Sequence, residues 1–595
     1  MARIVQKYGG TSVGSTERIR AVAERLARTA AAGNQVVAVV SAMGKTTDRL
    51  VELAGEITAN PCQREMDMLL STGEQVSIAL LSMALQEIGQ PAISLTGAQV
   101  GIVTEAAHSR ARILQISPDR IERHLQEGKV AVVAGFQGVS SHGELEITTL
   151  GRGGSDTSAV ALAIALEANC CEIYTDVPGI LTTDPRIVPE ACLMAEITCD
   201  EMLELASLGA TVLHPRAVEL ARNHGMPLAV RSSWSHEPGT RVLAPQSRGC
   251  SREALEFGHA VDAVEFDPLE ARLALLHVPD APGVAARIFG ELSQAGIGVN
   301  IILQSLHAGN TNDIAFTVAR TDLEAARTVT ETIAADLQSQ QPTELGEAIA
   351  VEVAPTTASV AIVGAGMIGR PGIAARMFAI LAAAGINIRT IATSEVKVSC
   401  EIAPDCLETA LQKLCAEFGL DAPRTATRPP ASVNPPVRGV ALDLDQARIA
   451  LTNIPDRPGL AARIFGQLAE CGISVDTILQ SQRCHHHDGV VTRDIYFTVA
   501  RNDVERARVP LAPLADEFSY AELLIDPDIA KVSIVGMGMN GAPAVATQFF
   551  AALAQQQINI RAITSAGLKI SCIVSRDAGQ KALQAVHTVF DLDRT

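Results

Sequence analysis

The C-terminal half of this 595-residue chain repeats itself, which limits the folds open to it. Residues 279–305 and 455–481 are identical at 18 of 27 aligned positions, 176 residues apart. The segments that begin at Ser359 and Lys531 form a second related pair, 172 residues apart. A two-part unit of about 160 residues is therefore present twice, and both copies are expected to fold in the same way.

Each half of the duplicated unit reads strand, helix, strand, strand, helix, with a glycine turn before the first helix. This order matches the ferredoxin-like βαββαβ arrangement, in which helices cover an antiparallel sheet. In the first half the predicted elements run over residues 271–278, 283–295, 297–305, 313–319, 322–338 and 347–353.

The second half of each copy ends after its second helix, predicted over 405–418 in the first copy, and lacks a final strand. An apolar segment upstream, residues 260–266, is a candidate for the missing strand, and residues 437–442 are its counterpart. The first half is therefore predicted to be inserted within the second. Residues 423–436, between the copies, contain five prolines and are typical of a linker.

Two glycine-rich turns in the N-terminal part each follow an apolar segment and precede a helical one. The first contains Lys7, and the second contains Arg152 and Asp156. Such a turn directs backbone N–H groups and the positive end of a helix dipole at one point, which suits phosphate. We predict an α/β domain in which both turns form one phosphoryl-transfer site. Its buried strands are expected to include residues 35–41, 130–135 and 171–175.

Composition narrows the class of protein. The formal net charge of −18 argues against a nucleic-acid partner, because neutralising phosphates needs a basic face. The N-terminus lacks the apolar core of a signal peptide, and no uninterrupted apolar run reaches membrane length. The 12 cysteines show no CxxC spacing. We therefore expect a cytoplasmic protein with reduced thiols and no membrane partner.

Seven N-terminal motifs resemble, in order, those of aspartate kinases, which have the amino acid kinase fold. They are KYGGTSV at 7–13, SAM at 41–43, STGE at 71–74, GRGGSD at 151–156, YTDVPG at 174–179, DPR at 184–186 and HPR at 214–216. The repeats, with a DxPG-type turn before a helix and an INI-type strand, resemble ACT domains, which sense amino acids. The resemblance implies a monofunctional aspartate kinase without a fused homoserine dehydrogenase. It would phosphorylate the β-carboxylate of L-aspartate with Mg²⁺-ATP and open the route to lysine, threonine, methionine and isoleucine.

The implied organisation is one amino acid kinase domain over residues 1–245, followed by two ACT pairs. The kinase domain is expected to have a central sheet that is mainly parallel and covered by helices on both faces. The first pair spans 258–422 and the second 437–595, separated by the linker at 423–436. The expected ACT ranges are about 268–354 for ACT1, 258–267 with 355–422 for ACT2, 444–524 for ACT3, and 437–443 with 525–595 for ACT4.

The resemblance assigns catalysis to Lys7, Arg152 and Asp156. Lys7 would neutralise charge on the transferred phosphoryl group, and Arg152 would hold a carboxylate of aspartate. Metal would be bound through ATP and not by a protein site of its own. The expected substrate contacts are Thr47, Glu74, Arg152 and Ser155. The expected nucleotide contacts are Lys7, Gly9, Gly10, Ser12, Thr175, Asp176, Leu181 and Arg186.

The ACT resemblance implies amino-acid effectors, with lysine and threonine as the usual ones. Asp280 and Asp456 are candidates for the effector ammonium, and backbone amides after Gly283 and Gly459 for its carboxylate. The sequence leaves open which effector binds which pair. A homodimer through ACT sheets is expected by analogy. Strand residues expected beside the same pockets are Gln304, Asn387, Ile388, Gln480, Asn559 and Ile560.

The sequence also allows other interpretations. Residues 364–369 and 536–541 match GxGxxG, but no acidic residue ends the next strand, which disfavours a dinucleotide site. In the loop of Cys484–His487, the three consecutive histidines cannot all face one metal ion without strain. Another amino-acid or carbamate kinase and a catalytically inactive sensor remain alternatives. The chain also departs from the family pattern: Thr211 replaces a common lysine, and Leu181 replaces a tyrosine on the nucleotide side.

Overall fold

The structure is a computed structural model of the whole chain. It describes residues 1–141, 145–209, 212–245, 255–256, 260–307, 311–340, 348–367, 370–426, 435–487, 489–518, 521–539 and 543–594. Most of the predicted linker and parts of both GxGxxG matches lie outside these residues. The chain forms two compact units. The first contains Met1–Leu181, Leu193–Ala206 and Ala210–Gly258, and the second contains Thr182–Cys192, Ser207–Gly209 and His259–Thr595.

The first unit alternates strands and helices. Its strands are β1 Arg3–Tyr8, β2 Gln35–Val40, β3 Ala92–Leu95, β4 Ile102–Thr104, β5 Ile113–Ile116, β6 Val130–Ala134, β7 Gln137–Ser140, β8 Ile147–Thr149, β9 Cys170–Thr175, β10 Glu196–Thr198, β11 Leu228–Ser232 and β12 Thr240–Leu243. Its helices are α1 Thr16–Ala31, α2 Thr46–Ile57, α3 Gln63–Leu70, α4 Thr72–Glu87, α5 Asp119–Gln126, α6 Gly154–Ala165, α7 Cys199–Ser207 and α8 Pro215–His224.

An eight-stranded sheet in the order β10-β12-β11-β9-β1-β2-β6-β3 forms the centre of this unit. All neighbouring strands are parallel except β11 and β12. Strand β6 is buried throughout, and β2 is buried from its second residue, as expected for strands covered on both faces. The predicted α/β class is confirmed. A parallel sheet gathers the carboxyl ends of its strands at one edge, where the first glycine turn begins after β1.

The continuous helical segment Gln63–Glu87 is long and apolar enough, by length and composition alone, to cross a membrane. A core helix of a globular domain meets the same test. This segment carries the buried carboxyl groups of Asp67 and Glu74. Both have hydrogen-bond partners inside the unit, which is the arrangement of a core helix.

The second unit contains the repeats. Its strands are β13 Ala263–Pro279, β14 Val299–His307, β15 Thr311–Ala319, β16 Ala350–Val363, β17 Thr390–Thr393, β18 Lys397–Ile402, β19 Arg424–Thr425, β20 Gly439–Asp443, β21 Gln446–Pro455, β22 Val475–Gln480, β23 His485–His487, β24 Val490–Ala500, β25 Glu522–Asp526, β26 Ile529–Val535, β27 Ala562–Ala566 and β28 Lys569–Ser575. Its helices are α9 Val284–Gln294, α10 Leu323–Gln340, α11 Ile373–Ala383, α12 Leu407–Phe418, α13 Leu460–Glu470, α14 Val504–Glu517, α15 Pro543–Gln555 and α16 Gly579–Val589.

These elements form four ferredoxin-like modules. Module 1 consists of α9, α10, β14, β15 and adjoining parts of β13 and β16, and module 2 of the other parts of β13 and β16 with α11, α12, β17 and β18. Strands β13 and β16 run through both, pairing from Ala263 with Val363 to Leu276 with Ala350. Module 3 consists of β21, β22, β24, β25, α13 and α14. Module 4 consists of β20, β26, β27, β28, α15 and α16.

The modules pair in space differently from their order along the chain. Module 1 joins module 4, because β14 and β27 are hydrogen-bonded and α9 packs on α15. Module 2 joins module 3 through α11 and α13. Each pair shares one apolar core, with Phe289 and Phe550 5.3 Å apart in the first and Phe378 and Phe465 5.6 Å apart in the second. The consecutive pairs of the sequence analysis are thus not the spatial pairs.

A short segment between β9 and β10, Thr182–Cys192, packs within the second unit. The Thr182 hydroxyl lies 2.9 Å from His587 Nε2, and Gln584 donates to the Ile187 carbonyl at 3.1 Å. Val188 is buried in the core that modules 1 and 4 share. The DPR motif therefore belongs to a segment held by module 4.

Candidate active site

A buried ion pair joins the two glycine-rich turns. Lys7 lies near the end of β1 and Asp156 in the first turn of α6. Lys7 Nζ is 2.5 Å from Asp156 Oδ1, and the side chains are 12% and 11% exposed. Separating the two side chains would leave each buried charge without its partner, which is costly. The ion pair therefore holds the two turns together. The structure brings these two predicted catalytic residues together.

The first turn packs closely against the loop that follows β2. A Cβ atom on Gly10 would lie 2.9 Å from the Ala42 carbonyl oxygen, so only glycine fits without displacement. The Gly44 N–H donates to the Gly10 carbonyl at 3.0 Å, and the Gly9 N–H donates to Tyr174 at 3.3 Å. The Ser12 hydroxyl is hydrogen-bonded to Ser233 at 2.6 Å. The predicted phosphate cradle is thus fixed by contacts with three other segments.

Glu74 is buried at the start of α4, close to the same loop. Its Oε1 accepts a hydrogen bond from the Ala42 N–H at 3.0 Å, while its Oε2 has no partner among the described residues. Burial raises the pKa of Glu74 to about 7, because the charged form loses its hydration. A cationic ligand group would supply the missing partner. Thr47, the second residue of α2, is half-buried beyond this loop.

The second turn is shaped by close packing against His214. Gly153 has φ +68°, and a Cβ atom there would lie 2.1 Å from His214 Cγ. Burial lowers the pKa of His214, which favours the neutral imidazole. Arg152 is exposed, and Ser155 is half-buried against Gly135. The turn is therefore rigid in its backbone and leaves the Arg152 guanidinium accessible to a ligand.

Asp67 on α3, which sequence reasoning missed, organises the approach to this turn. Its carboxylate is fully buried and accepts from the Thr149 hydroxyl at 2.6 Å, the Ser109 N–H at 3.0 Å and His108 Nδ1 at 2.9 Å. The Ser109 carbonyl in turn lies 2.9 Å from where a Cβ of Gly151 would stand. No periodicity marks these partners, which come from two distant segments, residues 108–109 and residue 149.

Arg216 of the HPR motif also positions the second turn, although the sequence analysis assigned it no role. Its guanidinium donates to the carbonyls of Leu150 at 2.7 Å and Ala111 at 2.6 Å, and it forms an ion pair with Glu256. Because Leu150 immediately precedes Gly151, Arg216 fixes where the second turn begins. The HPR motif could be recognised in the sequence, but the hydrogen bonds of Arg216 to the segment before the second turn could not.

The predicted nucleotide contacts do not all fall in the first unit. The Thr175 hydroxyl donates to Asp176 at 3.2 Å after β9, and Leu181 is half-buried at the end of the same segment. Arg186 lies in the second unit, is 86% exposed and forms a bidentate pair with Asp184. Thr211 lies outside the described residues.

The predicted effector residues divide between two pockets. In modules 1 and 4, Asp280 accepts from Asn312 at 2.9 Å and from Asn559 at 2.8 Å. Gly283, Gln304 and Ile560 line the same pocket. No cationic side chain is among the described residues that line it.

The pocket between modules 2 and 3 has the same plan but a different charge balance. Asp456 accepts from Asn387 at 3.1 Å and forms an ion pair with Arg493 at 2.9 Å. Arg493 occupies the strand position of Asn312 in module 1. The predicted residues Ile388, Gly459 and Gln480 complete the lining.

Comparisons with known proteins agree with an α/β kinase domain followed by ferredoxin-like modules. Residues 2–232 match the model of the amino acid kinase family, and residues 360–418 and 532–590 match that of the ACT domain. The chain is 48% identical to the aspartate kinase of Pseudomonas putida over 423 residues, covering 71% of this chain and 99% of that protein. It is 49% identical to the aspartokinase of Geobacillus stearothermophilus over 428 residues, covering 72% and 100%. The crystal structure of aspartate kinase from Synechocystis has a TM-score of 0.88 and 59% identity, covering 100% of this chain and 99% of that one.

The fold and the paired glycine turns define a phosphotransferase of the amino acid kinase class, with ACT domains in its second unit. Within that class, the chain belongs to the aspartate kinase family, whose members phosphorylate a carboxyl group. The match to the Pseudomonas protein leaves 172 residues (595 less 423) of this chain unpaired. That surplus is close in length to one copy of the duplicated unit.

Proposed function

We propose that this enzyme transfers the γ-phosphoryl group of ATP to the β-carboxylate of L-aspartate, giving 4-phospho-L-aspartate. The proposal rests on the Lys7–Asp156 pair together with a buried Glu74 oxygen that has no partner among the described residues. An ionised carboxylate needs no general base, so the site has to position two anions and neutralise the charge between them. A lysine, an arginine and two glycine turns suit that task.

Each side chain has one role in this proposal. Lys7 contacts the β- and γ-phosphates of ATP, and Asp156 holds its ammonium in place. The exposed guanidinium of Arg152 binds a carboxylate of aspartate in a bidentate manner. The Glu74 oxygen without a partner in the described part of the chain accepts the substrate ammonium, and Thr47 and Ser155 complete the acceptor pocket. Mg²⁺ arrives with the nucleotide as Mg-ATP and reduces the charge of its phosphates.

The substrate assignment is tested by trapping the acyl phosphate with hydroxylamine. Purified protein and Mg-ATP are incubated with L-aspartate, L-glutamate or N-acetyl-L-glutamate, and the hydroxamate is measured. We expect product with aspartate alone. Product with glutamate or N-acetylglutamate, and none with aspartate, would assign the chain to another carboxylate kinase. No product with any acceptor would favour an amino-acid sensor without activity.

We further propose that the two pockets with Asp280 and Asp456 bind feedback inhibitors, lysine and threonine. An effector shifts the kinase between states only by binding one of them more tightly. In each pocket the aspartate carboxylate suits the ammonium group of an amino acid. The glycine turn at the helix start suits its carboxylate group. Inhibition of the first step would control the supply of lysine, threonine, methionine and isoleucine.

The charge balance of the pockets suggests which effector each one takes. Among the described residues, Asp280 is bound only by neutral amides, so it can accept two cationic groups, as a lysine molecule presents. Asp456 is already partly neutralised by Arg493, so a ligand with a neutral side chain such as threonine is preferred. Lysine is therefore assigned to modules 1 and 4, and threonine to modules 2 and 3.

Exchange of the two matching residues tests this assignment. In full-length protein, Asn312→Arg should weaken lysine binding, measured by calorimetry, by about tenfold or more and leave threonine binding nearly unchanged. Arg493→Asn should weaken threonine binding and spare that of lysine. A reversed pattern would exchange the assignment, and unchanged affinities in both variants would place the effectors elsewhere.

We propose a cytoplasmic enzyme and a homodimer. The β14–β27 pairing within one chain already uses one sheet edge of the modules, so a second copy would need another surface. Light scattering of the purified chain measures the oligomeric state directly, and a monomeric mass would contradict the dimer.

A further inference from the structure

We propose that Ser233, on the turn that follows β11, is a positioning residue for the nucleotide. Its hydroxyl orients the Ser12 hydroxyl toward the phosphates, and its backbone N–H holds the end of β9 beside the first glycine turn. The inference rests on the proposed function, in which Ser12 and Thr175 contact ATP.

The turn after β11 and the first glycine turn lie on two sides of the end of β9. Strand β9 is between β11 and β1 in the sheet, and all three strands are parallel. The register places Ser232 of β11 beside Thr175, and Tyr8 of β1 beside Tyr174. The residues that follow β1 and β11 therefore leave the sheet at the same edge, one on each side of β9.

A ring of hydrogen bonds joins these three segments. The Gly9 N–H donates to the Tyr174 carbonyl at 3.3 Å, and the Ser233 N–H donates to the Thr175 carbonyl at 2.8 Å. The hydroxyl oxygens of Ser12 and Ser233 are 2.6 Å apart. The Ser12 N–H donates to the Gly9 carbonyl at 2.9 Å, which closes the ring. Ser233 thus contacts two of the predicted nucleotide-binding residues, Ser12 and Thr175.

The Ser12 hydroxyl lies close to the ammonium group of Lys7. A Cβ atom on Gly9 would stand 3.6 Å from Lys7 Nζ and 4.0 Å from Ser12 Oγ, so both groups approach the same point above the glycine backbone. A serine hydroxyl has one proton. If Ser12 gave this proton to Ser233, none would remain for a phosphate oxygen. In the proposed arrangement Ser233 is the donor, and the Ser12 proton is directed at the nucleotide.

The backbone of the turn is held by contacts other than the Ser233 hydroxyl. Arg25 of α1 donates to the Ser233 carbonyl at 3.1 Å. The guanidinium of Arg18 lies 4.5 Å from the centroid of the Trp234 ring and donates to the Thr11 carbonyl at 2.6 Å. These contacts remain when the hydroxyl is removed, so we expect Ser233→Ala to fold with the turn in place.

The test uses full-length Ser233→Ala, which loses the hydroxyl and keeps the backbone N–H. The KM values for ATP and aspartate are measured, together with the dissociation constant of Mg-ADP by calorimetry. The KM for ATP and the dissociation constant should both rise by about three- to tenfold, as for one neutral hydrogen bond, while the KM for aspartate changes by less than about twofold. Ser233→Thr retains a hydroxyl and should restore most of the affinity. Ser235→Ala is the matched control, because that hydroxyl accepts from the Glu237 N–H at 3.4 Å.

A double-mutant cycle separates this role from a general loss of packing. Because the Ser233 hydroxyl acts through Ser12, Ser233→Ala should have almost no further effect on Mg-ADP affinity in a Ser12→Ala protein. Additive losses in the double variant would overturn the proposal. Unchanged Mg-ADP affinity in folded Ser233→Ala, or an equal rise in the KM for aspartate, would overturn it as well.

The titration with Mg-ADP needs no phosphoryl acceptor, so it distinguishes this inference from the proposed function. Absence of hydroxamate in wild type, with Mg-ADP bound more weakly by Ser233→Ala, would count against aspartate as the acceptor and support the role of Ser233. Hydroxamate formation by wild type with equal Mg-ADP affinity in both proteins would leave the proposed function standing and refute this role. Failure of wild type to bind Mg-ADP would contradict both.

Discussion

Glu74 should make aspartate use depend on pH near neutrality. Its pKa of about 7 means that the carboxyl is mostly protonated at pH 6 and mostly ionised at pH 8. Only the ionised form can pair with the substrate ammonium. The ionised fraction rises from about 9% to about 91% over this range, so kcat/KM for aspartate should rise about tenfold.

The same shift predicts the sign of a stability change. The folded-state pKa is raised from 4.5 to about 7, so the fold loses stability as the pH rises between these values. The cost of the ionised group reaches about 3 kcal/mol above pH 7. Aspartate binding should recover part of it and release a proton near pH 6, which calorimetry in buffers of different ionisation enthalpy detects.

The assay compares wild type with Glu74→Gln and with Glu87→Gln, an exposed residue of the same helix. Glu74→Gln keeps an acceptor for the Ala42 N–H but removes the charge, so its KM for aspartate should rise and its pH profile should flatten. Glu87→Gln should behave like wild type. A wild-type profile that is flat between pH 6 and 8, or an unchanged profile in Glu74→Gln, would refute the assignment.

Three further substitutions test the positioning of the site and the regulatory unit. Gly153→Ala places a Cβ against His214 in a left-handed backbone region, so kcat should fall by at least about tenfold while circular dichroism shows a folded protein. Asp67→Asn weakens several hydrogen bonds to a buried carboxylate, and should lower stability by about 1–3 kcal/mol in urea unfolding. Lys531→Met removes the ion-pair partner of Asp476 and leaves Lys569 as the remaining nearby cation, and should cost up to about 3 kcal/mol, which Lys531→Met/Asp476→Asn should partly restore.

The elements that the sequence could predict are those encoded locally. Apolar strands and glycine turns predicted the α/β class, which is confirmed, and placed Lys7 and Asp156 on turns that could meet. The repeated segments predicted four similar modules because equivalent residues recur at a fixed offset. These signals depend on the spacing of neighbouring residues, which the sequence displays.

What the sequence could not predict are the contacts between distant segments. Asp67 joins residues 42 and 82 positions away, and no local pattern marks such a carboxylate as buried. Repeat similarity identifies equivalent strands but not their partners, so the joining of module 1 to module 4 was not foreseen. The packing of Thr182–Cys192 with module 4 likewise depends on a hydroxyl–histidine contact across 405 residues.

The most direct test of the account is aspartate-dependent hydroxamate formation by Lys7→Ala. The buried pair with Asp156 and the glycine cradle make Lys7 the residue that neutralises the transferred phosphoryl group. Lys129→Ala, a half-exposed lysine paired with Glu127, is the matched control. We expect a loss of at least about 100-fold in kcat for Lys7→Ala and wild-type activity for Lys129→Ala. Wild-type activity in a folded Lys7→Ala protein would contradict it.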